Sequence, residues 1–404
     1  MEKQSLSKIR KINNPHQGVN MRRLVISTVG TSLLTNEINE RKDSKSWITD
    51  LNKTANWTQE KIENSSDYSH VFSKIIATLV TRVEKKLNDS NILEIREMSA
   101  ELNGIYGLYD EKIEDAIPDT HILITTDTAQ GIASAQIIEL FLNSKGLINI
   151  TSWIQPELYL ASSNIFTESI AKLIPVMQET ILDSKKNNYR ISFNLVGGFK
   201  ALQGYFNTIG MFYADEIIYI FEGSKELIKI PRLPVKIKIE EVEPYKISLA
   251  MMEQGDVPVS WEEGRKVPQE WVVVDGEEKT LSTWGQLIWS QCKNQLLSQN
   301  ELLKFPKIEY MQVFEEDYKI KPGHEKVILQ ENLARAACLL LNNKDGITAM
   351  KQDGIFRLRR YSKGTNRDID HFDLPKDRRI SCIAVGNNLR LRHYGEHNYV
   401  NDNP

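Results

Sequence analysis

Cysteine is scarce: Cys292, Cys338 and Cys382 are the only three in 404 residues, far apart and in no metal-ligand spacing. An odd number so placed excludes a disulfide framework, argues against zinc and fits a reducing compartment, with each thiol a small core residue. Long apolar runs are missing as well. Nothing approaches the ~20 residues of a membrane span, and the N-terminus lacks the apolar core of a signal peptide, so the protein is expected in the cytoplasm. No G-x-G-x-x-G follows the first strand-like segment and no G-x-x-x-x-G-K-[ST] occurs, which disfavours a dinucleotide cofactor and a P-loop nucleotide hydrolase. No cofactor and no metal are expected.

What is present is the balance of a soluble globular protein, with 41% hydrophobic and 26% charged residues. The length calls for at least two cores. Net charge is −3, unevenly spread. From Lys351 to Pro404 there are 11 Lys and Arg against 7 Asp and Glu, a local +4 that suggests an end meeting a polyanion. His371, His393 and His397 fall in the same stretch.

The chain is organised around Ile191 to Gly210, ISFNLVGGFKALQGYFNTIG. An apolar, β-branched run stops at Gly197-Gly198 and becomes a helical pattern with Phe199, Leu202, Phe206 and Ile209 on one side. A strand, a glycine turn and a helix in that order place a ligand site at the carboxyl edge of a sheet, where the helix N-terminus attracts anions. Lys200 and Gln203 lie in the first turn of that helix, within reach of a phosphate or a base edge.

Two more junctions share this plan. Arg23 to Val29 runs into Gly30-Thr31-Ser32, and His121 to Thr125 opens into Thr126-Asp127-Thr128-Ala129-Gln130-Gly131 before a helix. With Ile148 to Ile154, a helix from about Asn164 to Leu182 and Glu216 to Phe221, strands alternate with helices, which predicts an α/β fold with a Rossmann-like, doubly wound parallel sheet. Asn36 to Asp67 reads as a polar insertion, followed by an amphipathic helix carrying Phe72, Ile75, Ile76, Leu79, Val83 and Leu87. Residues 1–20 read as a flexible leader, 21–240 as the α/β domain, 241–304 as a tryptophan-rich connector and 305–404 as a small α+β domain. Pro231 and Pro234 mark the exit from the sheet. In the last segment a helix from His324 to Asn342 precedes strand-like Gly354 to Arg360, Arg379 to Val385 and Leu389 to His393, with Asn387-Asn388 as a hairpin turn.

Residues 21–235 resemble the CRISPR-associated Rossmann fold, the sensor domain of ancillary effectors in type III CRISPR systems. The resemblance rests on VISTVGTSLL (Val25 to Leu34), NLVGGFKALQGYF (Asn194 to Phe206) and YADEIIYIFEG (Tyr213 to Gly223). It implies a homodimer that binds a cyclic oligoadenylate, with cyclic tetra-adenylate the expected activator, across two symmetry-related crevices. Gly30, Thr31, Ser32, Gly197, Gly198 and Lys200 would line each crevice, and sheet geometry adds Thr126, Asp127, Thr128 and Gln130.

Residues 305–404 resemble a RelE-type toxin, a small α+β ribonuclease that cuts messenger RNA on the ribosome, through RRISCIAVGNNLRLRHYGEHNYVNDNP (Arg378 to Pro404). Metal-independent cleavage at the 2′-OH needs a base, an acid and cations to hold the phosphorane. His397, with His371 or His393, would serve as acid or base; Arg379, Arg390 and Arg392 would hold the phosphate; Tyr399 would stack a base or orient the scissile phosphate. Strand alternation puts Arg390 and Arg392 on one face and Leu389, Leu391 and His393 on the other. Arg392 to His397 also has the R-x4-H spacing of HEPN ribonucleases, whose motif lies in an all-helical domain and which act on free RNA. Together these resemblances imply a mRNA interferase switched on by cyclic oligoadenylate in type III CRISPR antiviral defence. The other class left open is a non-catalytic transcription regulator with the same sensor.

Overall fold

The computed structural model describes residues 21–404 apart from 40, 159–162, 222–224 and 362–367, so the expected leader lies outside the described residues. Six strands form the first sheet: β1 (Arg23–Thr28), β2 (Thr120–Thr126), β3 (Ile150–Gln155), β4 (Arg190–Asn194), β5 (Glu216–Ile220) and β6 (Leu227–Pro231). Their order is β3-β2-β1-β4-β5-β6, all parallel except β6, which runs antiparallel to β5. This is the α/β architecture the alternation predicts.

Side-chain alternation explains why the sheet is covered on both faces. Val25 and Leu123 point into one core, with Leu79, Val83, Leu102 and Ile138. Leu24, Ile26, Ile122, Ile124, Ile191 and Phe193 point into the other, against the helices Ser163–Lys186 and Lys200–Tyr213. Strands apolar on both faces are characteristic of a parallel sheet sandwiched by helices.

Several boundaries differ from the sequence reading. β4 stops at Asn194, two residues early, because the Asn194 amide donates to Ser27 Oγ (3.2 Å) and to the Glu101 carbonyl (3.0 Å), tying the chain down before the glycines. The polar insertion holds the short helices Ser46–Lys53 and Gln59–Glu63, which bury Trp47, Leu51 and Ile62. The proline-bearing segment begins as edge strand β6 rather than leaving the sheet at once. Pro231 occupies the strand's last position, where a missing N–H costs no ladder bond.

Beyond the sheet, the helix Thr283–Leu297 sits between two cores. Leu287 joins the core of the parallel sheet, while Trp289, Cys292 and Leu296 join one that extends from Val242 to Tyr394. A small sheet of β7 (Val257–Pro258), β8 (Val272–Asp275) and β9 (Glu278–Leu281), not foreseen from sequence, packs in the same region.

The last sheet has the order β10-β14-β13-β12-β11, from β10 (Ile308–Tyr310), β11 (Arg359–Arg360), β12 (Asp370–Leu374), β13 (Arg378–Val385) and β14 (Asn388–Glu396). β10 is parallel to β14 and the other pairs are antiparallel. The helices Gln312–Lys319 and Gly323–Asn342 cover one face, and the short helix His397–Asp402 follows β14. The hairpin turn is Gly386-Asn387, one residue earlier than the sequence suggests; Gly386 takes the positive φ (+58°) the turn needs. Among the described residues no helix is long and apolar enough to cross a membrane.

Candidate functional site

The carboxyl ends of β1, β2 and β4 open into a crevice of about 480 Å³. Gly30, Thr31 and Ser32, then Thr126 and Thr128, then Gly197 and Gly198 line it, with Ala55, Asn56 and Ala100 closing the sides. Three junctions far apart in sequence therefore do converge. Thr128 caps the helix Ala129–Ser144 through Gly131 N–H (3.1 Å) and shares a 2.7 Å bond with Thr126 Oγ1, so these two hydroxyls are held in place.

A residue absent from the sequence reading governs the geometry. Glu101, in the helix Ala100–Leu108, is buried beneath the crevice floor and accepts the Gly30 amide at 2.7 Å and the Ser99 hydroxyl at 2.8 Å. Burial raises its carboxyl above the usual range, against the pull of the Gly30, Ser99 and Gly198 donors. A Cβ on Gly197 would stand 2.7 Å from Glu101 Cγ and closer still to the carboxylate, so only glycine fits over this side chain. Gly198 holds a φ of +92°, which L side chains rarely adopt. The carboxylate thus fills the position an anion would take between the two glycine turns. The donors left for a ligand are the first-turn amides of the helix Lys200–Tyr213, whose N-cap Phe199 offers no side-chain cap.

Gln203 is turned inward, its amide donating to the carbonyls of Val196, Gly197 and Gly198 at 3.1–3.4 Å, so it braces the turn instead of reaching outward. Gln130 is buried and donates to the Leu51 carbonyl at 2.8 Å. Asp127, Gln130 and Lys200 are not among the lining residues. Lys200 is exposed, next in sequence to the lining residue Phe199, and has no ion-pair partner among the described residues.

A second group gathers on the other sheet, on the face away from the helix Gly323–Asn342, and reaches Asp317 of the helix Gln312–Lys319 through His393 Nδ1 (3.5 Å) and Tyr399. Cross-strand register aligns Arg359, His371, Ser381 and His393 in one row and Asp373, Arg379 and Gly395 in the next. Asp373 is the hub. It pairs with Arg379 (2.7 Å), Arg359 (2.8 Å) and His397 Nε2 (3.6 Å). Burial pushes the Asp373 carboxyl up, but the two guanidinium groups outweigh it and hold the carboxyl below its ordinary value. Asn401 bridges Arg379 NH1 (2.6 Å) and His397 Nδ1 (3.2 Å), so the final short helix is fastened to this face.

The expected catalytic residues divide. His397 and Arg379 share Asp373, yet Arg379 is only 4% exposed and its guanidinium is already committed to Asp373 and Asn401. His371 is buried against the Tyr361 ring (centroids 4.2 Å apart), with no partner for Nδ1 among the described residues. Burial, then the charges of Arg379 and Arg359, pushes it down to about 4, so at neutral pH it is an uncharged imidazole. Tyr399 donates to Asp317 Oδ1 (2.9 Å), beside His393. Arg390 pairs with Glu309 across β10, and Arg392 donates to the Pro404 carbonyl oxygen, so neither joins the Asp373 cluster.

The expected face of His393 is also corrected. A bulge at Ser381/Cys382 leaves Arg392 without a cross-strand partner and shifts the alternation, so that His393 lies opposite Ser381 and Tyr394 turns into the core. Because Arg392 and His393 sit on a strand and their side chains turn to different partners from His397, the R-x4-H spacing lacks the all-helical setting of HEPN enzymes.

Residues 96–233, about a third of the chain, match the family described as CRISPR-associated protein (Cas_APE2256). The match includes Glu101, the Thr126 to Gly131 junction and the Gly197-Gly198 turn. No curated protein matches the chain.

Proposed function

We propose that this protein is a ligand-gated ribonuclease of CRISPR defence: a cyclic oligoadenylate occupies the crevice of the parallel sheet, and the C-terminal sheet then cleaves messenger RNA. The observation that carries the catalytic half is the Asp373 cluster, in which an imidazole 37% exposed (His397) and a half-exposed guanidinium (Arg359) share one carboxylate on a sheet face. His397 would exchange the proton of the 2′-OH or of the leaving 5′-oxygen, and Arg359, with the oriented Arg379 behind it, would offset charge on the phosphorane. The buried, uncharged His371 is a weak base, so His397 is the principal acid–base group. A set this sparse gains most where RNA is already positioned, which favours the ribosome as the setting, since orientation alone can supply several kcal/mol of barrier reduction.

The sensing half is supported by the CRISPR-associated match over residues 96–233 and by a packed path between the sites. The helix Lys200–Tyr213 starts at the crevice. Along it Tyr205 stacks on Trp284 (4.9 Å) and Tyr213 bonds Ser290 (2.9 Å), both on the helix Thr283–Leu297. That helix reaches the second core through Trp289, whose indole donates to Glu253 at 2.8 Å. A symmetric ligand is best gripped by two copies of one crevice, so the active form is read as a homodimer. Light scattering that gives a monomer with and without ligand would count against that part.

One assay tests the whole reading: messenger RNA with and without ribosomes, each with and without cyclic tetra-adenylate. Cleavage confined to the lane holding both is the expected result. Equal ligand-dependent cutting of naked RNA would remove the ribosome, and no cutting with any ring size would leave the non-catalytic regulator.

A further inference from the structure

The crevice has a second lobe. A cavity of about 470 Å³ opens beside it, and Ser32, Ala100 and Val196 line both, so the two form one bent groove. The first lobe is lined mainly by glycine turns and hydroxyls, whereas the second carries Phe221, Lys225 and Asn103. Phe221 is 71% exposed and makes no ring contact among the described residues. Arg96, buried at the back, fixes the wall: its Nε donates to Asn103 Oδ1 (2.8 Å) and its NH2 to the Lys225 carbonyl (2.7 Å). With Oδ1 engaged, the Asn103 NH2 group remains to donate. Among the described residues Lys225 Nζ has one ion-pair partner, Glu97 at 3.4 Å; the lysine is half-exposed and the glutamate more so, and a phosphate can replace that carboxylate at little cost.

We propose that this second lobe is a nucleobase site, taking one purine of a phosphodiester-linked ligand whose backbone lies in the first lobe. Phe221 supplies the stacking face, Asn103 donates to a ring nitrogen, and Lys225 meets the adjoining phosphate. A base stacked on an exposed aromatic ring and bonded at one edge is how single-stranded nucleic acids are commonly held. The division of labour also suits the first lobe, where Glu101 already takes the Gly30 amide and leaves few donors for a base edge. The proposal rests on the sensing role given above and adds where the base goes.

Calorimetry of the full-length protein with cyclic tetra-adenylate, and saturation-transfer spectroscopy with 5′-AMP, test it on Phe221→Ala and Asn103→Ala, with Ile148→Ala, exposed and remote from both lobes, as control. The expected result is affinity for the cyclic ligand about tenfold or more weaker in the two lobe variants and unchanged in the control. Wild-type binding that both lobe variants retain in full would overturn the second lobe while leaving the sensing role intact. If the cyclic ligand does not bind but 5′-AMP ring protons show transfer that Phe221→Ala abolishes, the lobe stands and the sensing role falls. Binding of neither probe would overturn both.

Discussion

Glu101 is the residue whose removal says most about the crevice. In Glu101→Ala the Gly30 amide loses its acceptor and the Gly198 amide loses the carboxyl oxygen beside it, both against a side chain only 1% exposed. Each buried donor left unmade costs ~1–3 kcal/mol, so the variant should lose about 2–6 kcal/mol from a total stability of order 5–15. Glu101→Gln separates bonding from charge, because the amide oxygen still accepts from Gly30 while nothing charged is buried. Burial raises the Glu101 carboxyl, so the folded protein keeps a proton that the unfolded chain has released. The stability linked to that proton is full below the ordinary glutamate value near ~4.3 and is lost as pH rises through the folded value. Glu101→Gln should therefore match the wild type in acid and equal or exceed it above neutral pH. Urea denaturation at several pH values reads both effects. A Glu101→Ala protein as stable as wild type, or a Glu101→Gln protein with an unchanged pH slope, would refute the account of the crevice floor.

Lys200→Ala should weaken cyclic tetra-adenylate about tenfold or more by calorimetry without altering the fold, since the side chain is exposed and only a charge-assisted ligand contact is lost. His397→Ala should slow ligand-dependent RNA cleavage by ~10²–10⁴ on a gel, the usual loss for a general acid or base, while leaving ligand affinity unchanged. Gly204→Ala, in an exposed helical position where an added Cβ meets nothing within 4 Å, should raise stability by ~0.5–1 kcal/mol, whereas Gly197→Ala should lower it and abolish ligand binding; thermal denaturation distinguishes the two.

The parallel sheet was legible because three of its strands, β1, β2 and β4, are apolar runs that lead into a glycine or hydroxyl junction, and one-dimensional patterns of that kind survive without knowledge of partners. The convergence of Gly30, Thr126 and Gly197 followed from the same rule about strand ends. Elements whose residues serve two faces unequally were harder to see. β12 reads Asp-His-Phe-Asp-Leu, where Phe372 and Leu374 enter the core and His371 and Asp373 leave it, but five residues with two charges look like a loop until their neighbour Arg378–Val385 is placed. The helices from Ile92 to Leu108 carry a weak pattern for a similar reason, and the one signal in the sequence is Glu101, the lone charge among Leu102, Ile105, Tyr106 and Leu108, all of which are buried.

Side-chain engagement was the least legible layer, because it depends on pairings across strands. Arg379 looked free to hold a phosphate, and β12 turns out to supply Asp373 directly opposite it. Arg390 and Arg392 shared a face by simple alternation, yet a single bulge, which carries no residue signature in Leu-Arg-Leu-Arg-His, ends that alternation at Arg392. A bulge adds one residue to one strand, so everything after it changes sides. That is how Tyr394 reaches the core, His393 reaches the outer face, and the short helix beginning at His397 comes to lie over Asp373. The part-exposed imidazole of the cluster thus owes its position to a backbone irregularity, and the two groups that bond it, Asp373 and Asn401, are themselves tied together by Arg379 from a third element.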